Sequence, residues 1–276
     1  MRRVVQVMES SYGPDHPNVA TSLNNLAQLL SATNRLSEAE PLMRRALSID
    51  ESSYGPEHPD VARDLSNLAL LLQATNRLLE AELLIRRALA INESSYGSNH
   101  PNVAILLNNL ALLLSATNRH SEAEPLVRRA LTIDESSYGP DHPNVAIRLS
   151  NLASLLLAAS RFSEAEPLMR RALSIEESSY GPDPPAVARD LNNLASLLKA
   201  TNRLTEAQAF MRRALLLVLR LGVATRHESP NMRTVGGNYV SILVAQGKSE
   251  EQIRSELRSL LREAGLRAPE PEGVEP

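Results

Sequence analysis

The heptapeptide Ser-Tyr-Gly-Pro-Asp-His-Pro occupies Ser11–Pro17, and close variants stand at Ser53–Pro59, Ser95–Pro101, Ser137–Pro143 and Ser179–Pro185. Each copy lies 42 residues after the last, and most of the sequence between copies repeats with it. A fixed period of this size belongs to solenoids, in which each unit packs only on its neighbours and a long surface is left for binding. A binding module is therefore expected before any single residue is weighed.

Outward from the heptapeptide, each unit reads as a helical hairpin. Pro17 suits a first helical turn, where its missing N–H has no partner to lose. Val19, Leu23, Leu26 and Leu30 then recur at spacings of a helix face, predicting a first helix, A, over 17–32. Asn34-Arg35 reads as the turn. A second helix, B, follows, with Ser37 and Glu40 at capping-box spacing and Ala39, Met43 and Ala46 as its apolar stripe beside Leu42 and Ile49. Pro41 is tolerable only near that helix's start and bends it if the helix begins earlier. Gly55, with Pro56 behind it, is expected to end helix B in a left-handed conformation, and Gly13, Gly97, Gly139 and Gly181 repeat the device.

Composition agrees with such a hairpin. Hydrophobic residues make up 43% of the chain but aromatics only 3%, with no Trp, so the core must be aliphatic, Leu against Ala. A net charge of −3 gives no footprint for nucleic acid or an anionic membrane. Cysteine is absent, which excludes disulfides and thiolate metal sites. With no apolar run near the length of a membrane span and no secretory signal, the chain is expected to be cytoplasmic.

Leu26-Ala27, Leu30, Ala39, Met43 and Ala46 match the spacing of the tetratricopeptide repeat (TPR). The phrases Leu-Asn-Asn-Leu-Ala at Leu23–Ala27, Glu-Ala-Glu-Pro-Leu at Glu38–Leu42 and the heptapeptide itself resemble the 42-residue subtype of kinesin light chains. The usual TPR period is about 34, and the extra residues lengthen helix B and the loop after it. The resemblance implies an all-α fold, a right-handed α-solenoid of TPR helix-turn-helix repeats. Residues 1–13 read as an orphan helix B, 14–222 as five units, 223–265 as a degenerate sixth unit with Gly236-Gly237 acting as a C-terminal cap, and 266–276 as a disordered tail. Ser249 is expected to start a polar helix over 250–263. Val4, Val5, Val7 and Met8 on the orphan helix suggest a fragment of a longer array or an uncapped N-terminal edge for self-association.

What the resemblance implies for function is an extended peptide segment of another protein, held along the concave face by the A helices. In kinesin-light-chain-like repeats asparagines of one A-helix phase pair with the peptide backbone, and here that phase is Asn25, Asn67, Asn109, Asn151 and Asn193. The competing role for these residues is hydrogen bonding between adjacent repeats. Specificity should lie where units differ: Leu70, Ile105, Leu112, Ile147 and Leu157 fall on the same expected groove, flanked by Arg63 and Arg189, which suggests a partner with an apolar middle and an acidic residue. Ordinary packing between A helices is the alternative. The lysines of a chaperone-type carboxylate clamp are missing, since Asn24, Ser66 and Asn108 stand where the first is required.

Other constellations read as structural. His16, His58, His100 and His142 fall one per loop, and Pro184 breaks the series, so His-Pro turns are expected and no metal site. The twin arginines, such as Arg44-Arg45 and Arg86-Arg87, follow Glu40 and Glu82 at the favourable i,i+4 spacing, and no aromatic interleaves them for stacking on bases. Tyr12 and its equivalents are expected to wedge between units as core. No phosphate-binding glycine loop or hydrolase motif appears, so neither an enzyme nor a cofactor is expected. The alternative to a peptide binder is a structural or oligomerisation scaffold, or the regulatory array of a larger signalling protein.

Overall fold

A computed structural model of the chain describes residues 1–181, 185–225 and 231–266, the side chains of 185 and 186 excepted. Pro184, Pro230 and the expected tail from 267 onward lie outside the described residues. Among those described there are thirteen α-helices and no strand. The chain divides into two compact units, Met1–Gly139 and Pro140–Pro276.

The first unit holds α1 (Arg2–Tyr12), α2 (Pro17–Ala32), α3 (Leu36–Tyr54), α4 (Pro59–Ala74), α5 (Leu78–Tyr96), α6 (Pro101–Ala116) and α7 (His120–Tyr138). α2 pairs with α3, α4 with α5 and α6 with α7, and each hairpin rests on the next through α3 against α4 and α5 against α6. The expected A stripe is the buried one: Val19, Leu23, Leu26 and Leu30 are all core, as are Ala39, Met43, Ala46 and Ile49 of α3. In the second repeat Val61, Ala62 and Leu65 of α4 meet Ala88 and Ile91 of α5, with Leu106 from the following A helix and Leu47 from the preceding B helix closing the cluster. Each such leucine contributes about 1.5–3 kcal/mol on burial, and no hairpin could gain this alone. On α1 it is Val5 that is buried, while Val4 and Val7 are exposed.

Local signals set the helix ends, in part otherwise than expected. Asn34, Asn76 and Asn118 take the left-handed conformation at φ 59°, 61° and 61°, the turn read at Asn34-Arg35. The capping box at Ser37 and Glu40 does not form: α3 starts two residues before that box would place it, and no side chain caps Arg35. Instead the Arg35 guanidinium forks onto Glu38 with two 2.7 Å bonds. Pro41 sits inside α3, far enough into the helix to remove one backbone bond. Gly97 ends α5 at φ 85° and ψ 157°, a positive-φ region all but closed to other residues, rather than in the left-handed cap expected.

The histidines cap the A helices. His16, His58 and His100 each stand at an N-cap, where Nδ1 accepts the backbone N–H two residues on at 3.1–3.2 Å. Their rings stack on Tyr12, Tyr54 and Tyr96 at 4.5–4.9 Å between centroids. Those tyrosines are exposed and not the core wedges expected from the sequence. The stack, not burial, is what holds them.

Arginines join the repeats. Arg44, Arg86 and Arg128 each pair with the glutamate four residues before them at 2.7–2.9 Å. Arg77 reaches back to Glu40 and Arg119 to Glu82, each at 2.7 Å. Partial burial raises the Glu40 carboxyl, but hydrogen bonds from Arg77 and Arg44 outweigh it and hold the group below the usual carboxylate range. The second arginine of each pair also points backward: Arg87 bonds Glu51 at 2.7 Å and the Pro56 carbonyl at 3.0 Å.

The second unit repeats the scheme with α8 (Pro143–Ala158), α9 (Phe162–Tyr180), α10 (Pro185–Ala200), α11 (Leu204–Thr225), α12 (Met232–Ala245) and α13 (Glu250–Glu263). Ser160 replaces asparagine at the left-handed turn, and Arg203 bonds Glu166 at 2.7 Å. α12 carries Gly236 and Gly237 in its interior and packs against α10 and α11 through Val235, Tyr239, Ile242 and Leu243. α13 opens on a complete capping box between Ser249 and Gln252. Its Glu256 accepts the Tyr239 hydroxyl at 2.7 Å, with Lys248 alongside. Among the described residues no helix is long and apolar enough to cross a membrane.

Candidate functional site

The A helices turn one stripe away from the core, and on α4 and α6 several of the expected site residues lie on it. In the first unit Arg63, Asn67 and Leu70 follow one another on α4, and Ile105, Asn109 and Leu112 on α6, at the i, i+4, i+7 spacing of one face. Leu70, Ile105 and Leu112 are 47%, 46% and 42% exposed, so they are not the packing residues of neighbouring A helices. In the second unit Ile147 is exposed and Leu157 half-buried, and Asn151 and Asn193 are half-buried.

Two adjacent polar positions of each A helix, Asn-Asn in α2, α6 and α10 and Ser-Asn in α4 and α8, divide their work. Asn24 and Asn108, first of their pairs, are buried, and Asn24 Nδ2 donates to Asp64 Oδ1 of the next A helix at 2.7 Å. Asn25, Asn67 and Asn109, at the second of these positions, make no side-chain hydrogen bond to any described residue. In the first repeat, hydrogen bonding to the next A helix thus falls to Asn24, one position before the residue read from the sequence. In the second unit Asn193 accepts from Asn192 at a long 3.4 Å, and Asn192 accepts from Asn238 at 2.9 Å.

The two arginines on the stripe are held by carboxylates. Arg63 bonds Asp60 at 2.6 Å and both Asp50 and Asp64 at 3.3 Å, and Arg189 bonds Asp190 at 3.2 Å. An acidic residue of a partner would therefore meet cations already balanced, contrary to the expectation from sequence.

Behind Arg63 lies a feature that was not anticipated. Asp50 of α3 and Asp64 of α4 are 1% and 0% exposed and share a hydrogen bond. Burial, then the neighbouring Asp50 charge, pushes the Asp64 carboxyl up to about 7 against the pull of Arg63. Burial likewise raises Asp50. In the second unit Glu176 and Asp190 are buried and raised in the same way. The only signal in the sequence was an acidic residue on an otherwise apolar face of helix B.

An open depression of about 360 Å³ lies on the first unit where α4, α5 and α6 meet. Arg63, Asn67 and Ile105 line it together with Asp60, Asn92 and Tyr96. Three of the expected site residues are thus gathered at one place.

The family model of the tetratricopeptide repeat matches the chain at residues 1–52, 38–94, 65–136, 122–178 and 149–216. No curated protein matches it in sequence. BtubC (BKLC) from P. vanneervenii has a similar structure, with TM-score 0.68 at 23% identity over 83% of this chain and 90% of that one. A putative kinesin light chain of Podospora anserina with nearly identical TPR-like repeats gives TM-score 0.63 at 23% identity over 76% and 99%. PilF of Pseudomonas aeruginosa gives 0.53 at 20% identity over 87% and 97%. At such identities the likeness is one of fold. Arrays of this kind are modules of protein–protein interaction. With matches running through all five units and helical hairpins in every described one, the chain belongs to the tetratricopeptide repeat family.

Proposed function

We propose that the array holds another protein by an extended segment laid along the A-helix stripe, and that it does so without catalysis. The asparagines of the series Asn25, Asn67, Asn109, Asn151 and Asn193 pair with the partner's backbone. Leu70, Ile105 and Leu112 on the first unit, and Ile147 and Leu157 on the second, receive its apolar side chains. The observation that carries this reading is the open carboxamide of Asn25, Asn67 and Asn109 beside the engaged Asn24. A carboxamide offers donor and acceptor together, which suits a peptide bond whatever the side chain. Arginines held by carboxylates argue for a protein partner over a polyanion.

The test is a random-peptide display selection on the full chain, with Asn67→Ala/Asn109→Ala as counter-target. Peptides sharing a motif and lost on the double variant are expected. A folded protein that enriches nothing, or whose peptides bind the double variant equally, overturns the reading.

A further inference from the structure

One rung of the buried ladder between repeats differs from the others. Helix B places a buried acid at Asp50, Asp134 and Glu176, but in the second repeat the same position is Asn92. The acid is met from the next A helix by Asp64 in one case and Asp190 in another, whereas Leu106 stands in that register beside Asn92. A leucine offers no hydrogen bond. Asn92 is only 8% exposed and makes no side-chain hydrogen bond to any described residue, and it lines the 360 Å³ depression between α4, α5 and α6. Its carboxamide opens to solvent through the depression, so its donor and acceptor can meet a complementary group entering there.

The walls define that group. Asp60 and Arg63 neutralise each other at the rim at 2.6 Å, and the other arms of Arg63 go to Asp50 and Asp64. An anion finds no open cation there, and a cation finds its nearest carboxylate already bonded. Ser66, Asn67 and Asn102 add neutral polar side chains, while Ile105 and Tyr96 give an apolar flank for a methylene stem. We infer that the depression is a subsite for a primary carboxamide, the side chain of a glutamine or asparagine in the bound segment, with Asn92 pairing to it donor to acceptor and acceptor to donor. This rests on the groove reading above and adds its specificity element.

The experiment is the same display selection run in parallel on Asn92→Leu and Asn92→Ser, each first shown helical by circular dichroism. Wild-type protein is expected to enrich peptides with one fixed glutamine or asparagine. Replacing that residue by methionine should weaken binding about tenfold, as the loss of two hydrogen bonds implies. Both variants should lose the preference at that position and keep the rest of the motif. Peptides that depend on Asn67 and Asn109 but show no carboxamide position, or keep it on both variants, overturn the subsite and leave the groove standing. Failure to enrich any peptide overturns both.

Discussion

At the level of single residues, the decisive distinction is between side chains that serve the fold and side chains left over. Asn24 and Asn25 are adjacent and chemically identical, yet one is buried against Asp64 and the other faces out. A shift of one residue turns a helical side chain by about 100°, which is enough to separate the two roles. The same buried layer holds Asp64, whose folded carboxyl titrates near 7, above its ordinary 3.8. Because the folded state keeps this proton more tightly than the unfolded chain, Asp64 favours folding fully below about pH 4, and that support is lost as pH rises through 7. Thermal melts should therefore show stability falling between pH 5 and pH 8. Asp64→Asn, which mimics the protonated acid and still accepts from Asn24, should flatten that fall and raise the melting temperature at pH 8. A variant destabilised equally at both pH values would mean the ionised carboxylate and its Arg63 contact stabilise the fold.

At the level of elements, the helices were legible because their boundaries carry local signals. Proline at N1, asparagine at the left-handed turn and glycine after tyrosine bracket the hairpins of the first unit, and the A helix read over 17–32 is α2 residue for residue. The caps were less legible. Ser37 and Glu40 have the spacing of a capping box, but Arg35 takes Glu38 into a fork and the helix starts at Leu36. Histidine, an uncommon cap, does that work for the A helices, and its stacking on tyrosine could not be seen from spacing alone. His100→Ala should cost about 1 kcal/mol, read as about fivefold faster amide exchange in the first turn of α6. Unchanged exchange there would show the proline and backbone suffice. Between hairpins, Arg119 and Glu82 belong to a network that also includes Arg86 and Glu122. A double-mutant cycle with Arg119→Ala and Glu82→Ala should give a coupling of about 1 kcal/mol or less, fading in high salt. Zero coupling at low salt would reduce these pairs to surface decoration.

On the scale of the molecule, the period of 42 residues decided the fold, since a unit repeated in sequence must be repeated in packing. The candidate site was legible only in outline. The stripe through Asn67 and Leu70 follows from helical spacing, and the exposure of Leu70, Ile105 and Leu112 agrees with it. Its depression depends on Asn92 and Leu106, two departures from the repeat whose meeting requires the packing of α5 on α6. On the proposed reading the repeated asparagines would hold a ligand's backbone, and the departures from the repeat would select its side chains. The measurement that tests this most directly is calorimetric titration of a display-selected peptide into the wild type, Asn67→Ala/Asn109→Ala and a control, Arg86→Ala, on the B-helix side. Losing two carboxamides, with at least one hydrogen bond each, should weaken binding about fivefold or more in the asparagine variant and leave the control at wild-type affinity. Equal affinity for all three proteins, or an equal loss in the control, would contradict an A-helix binding face.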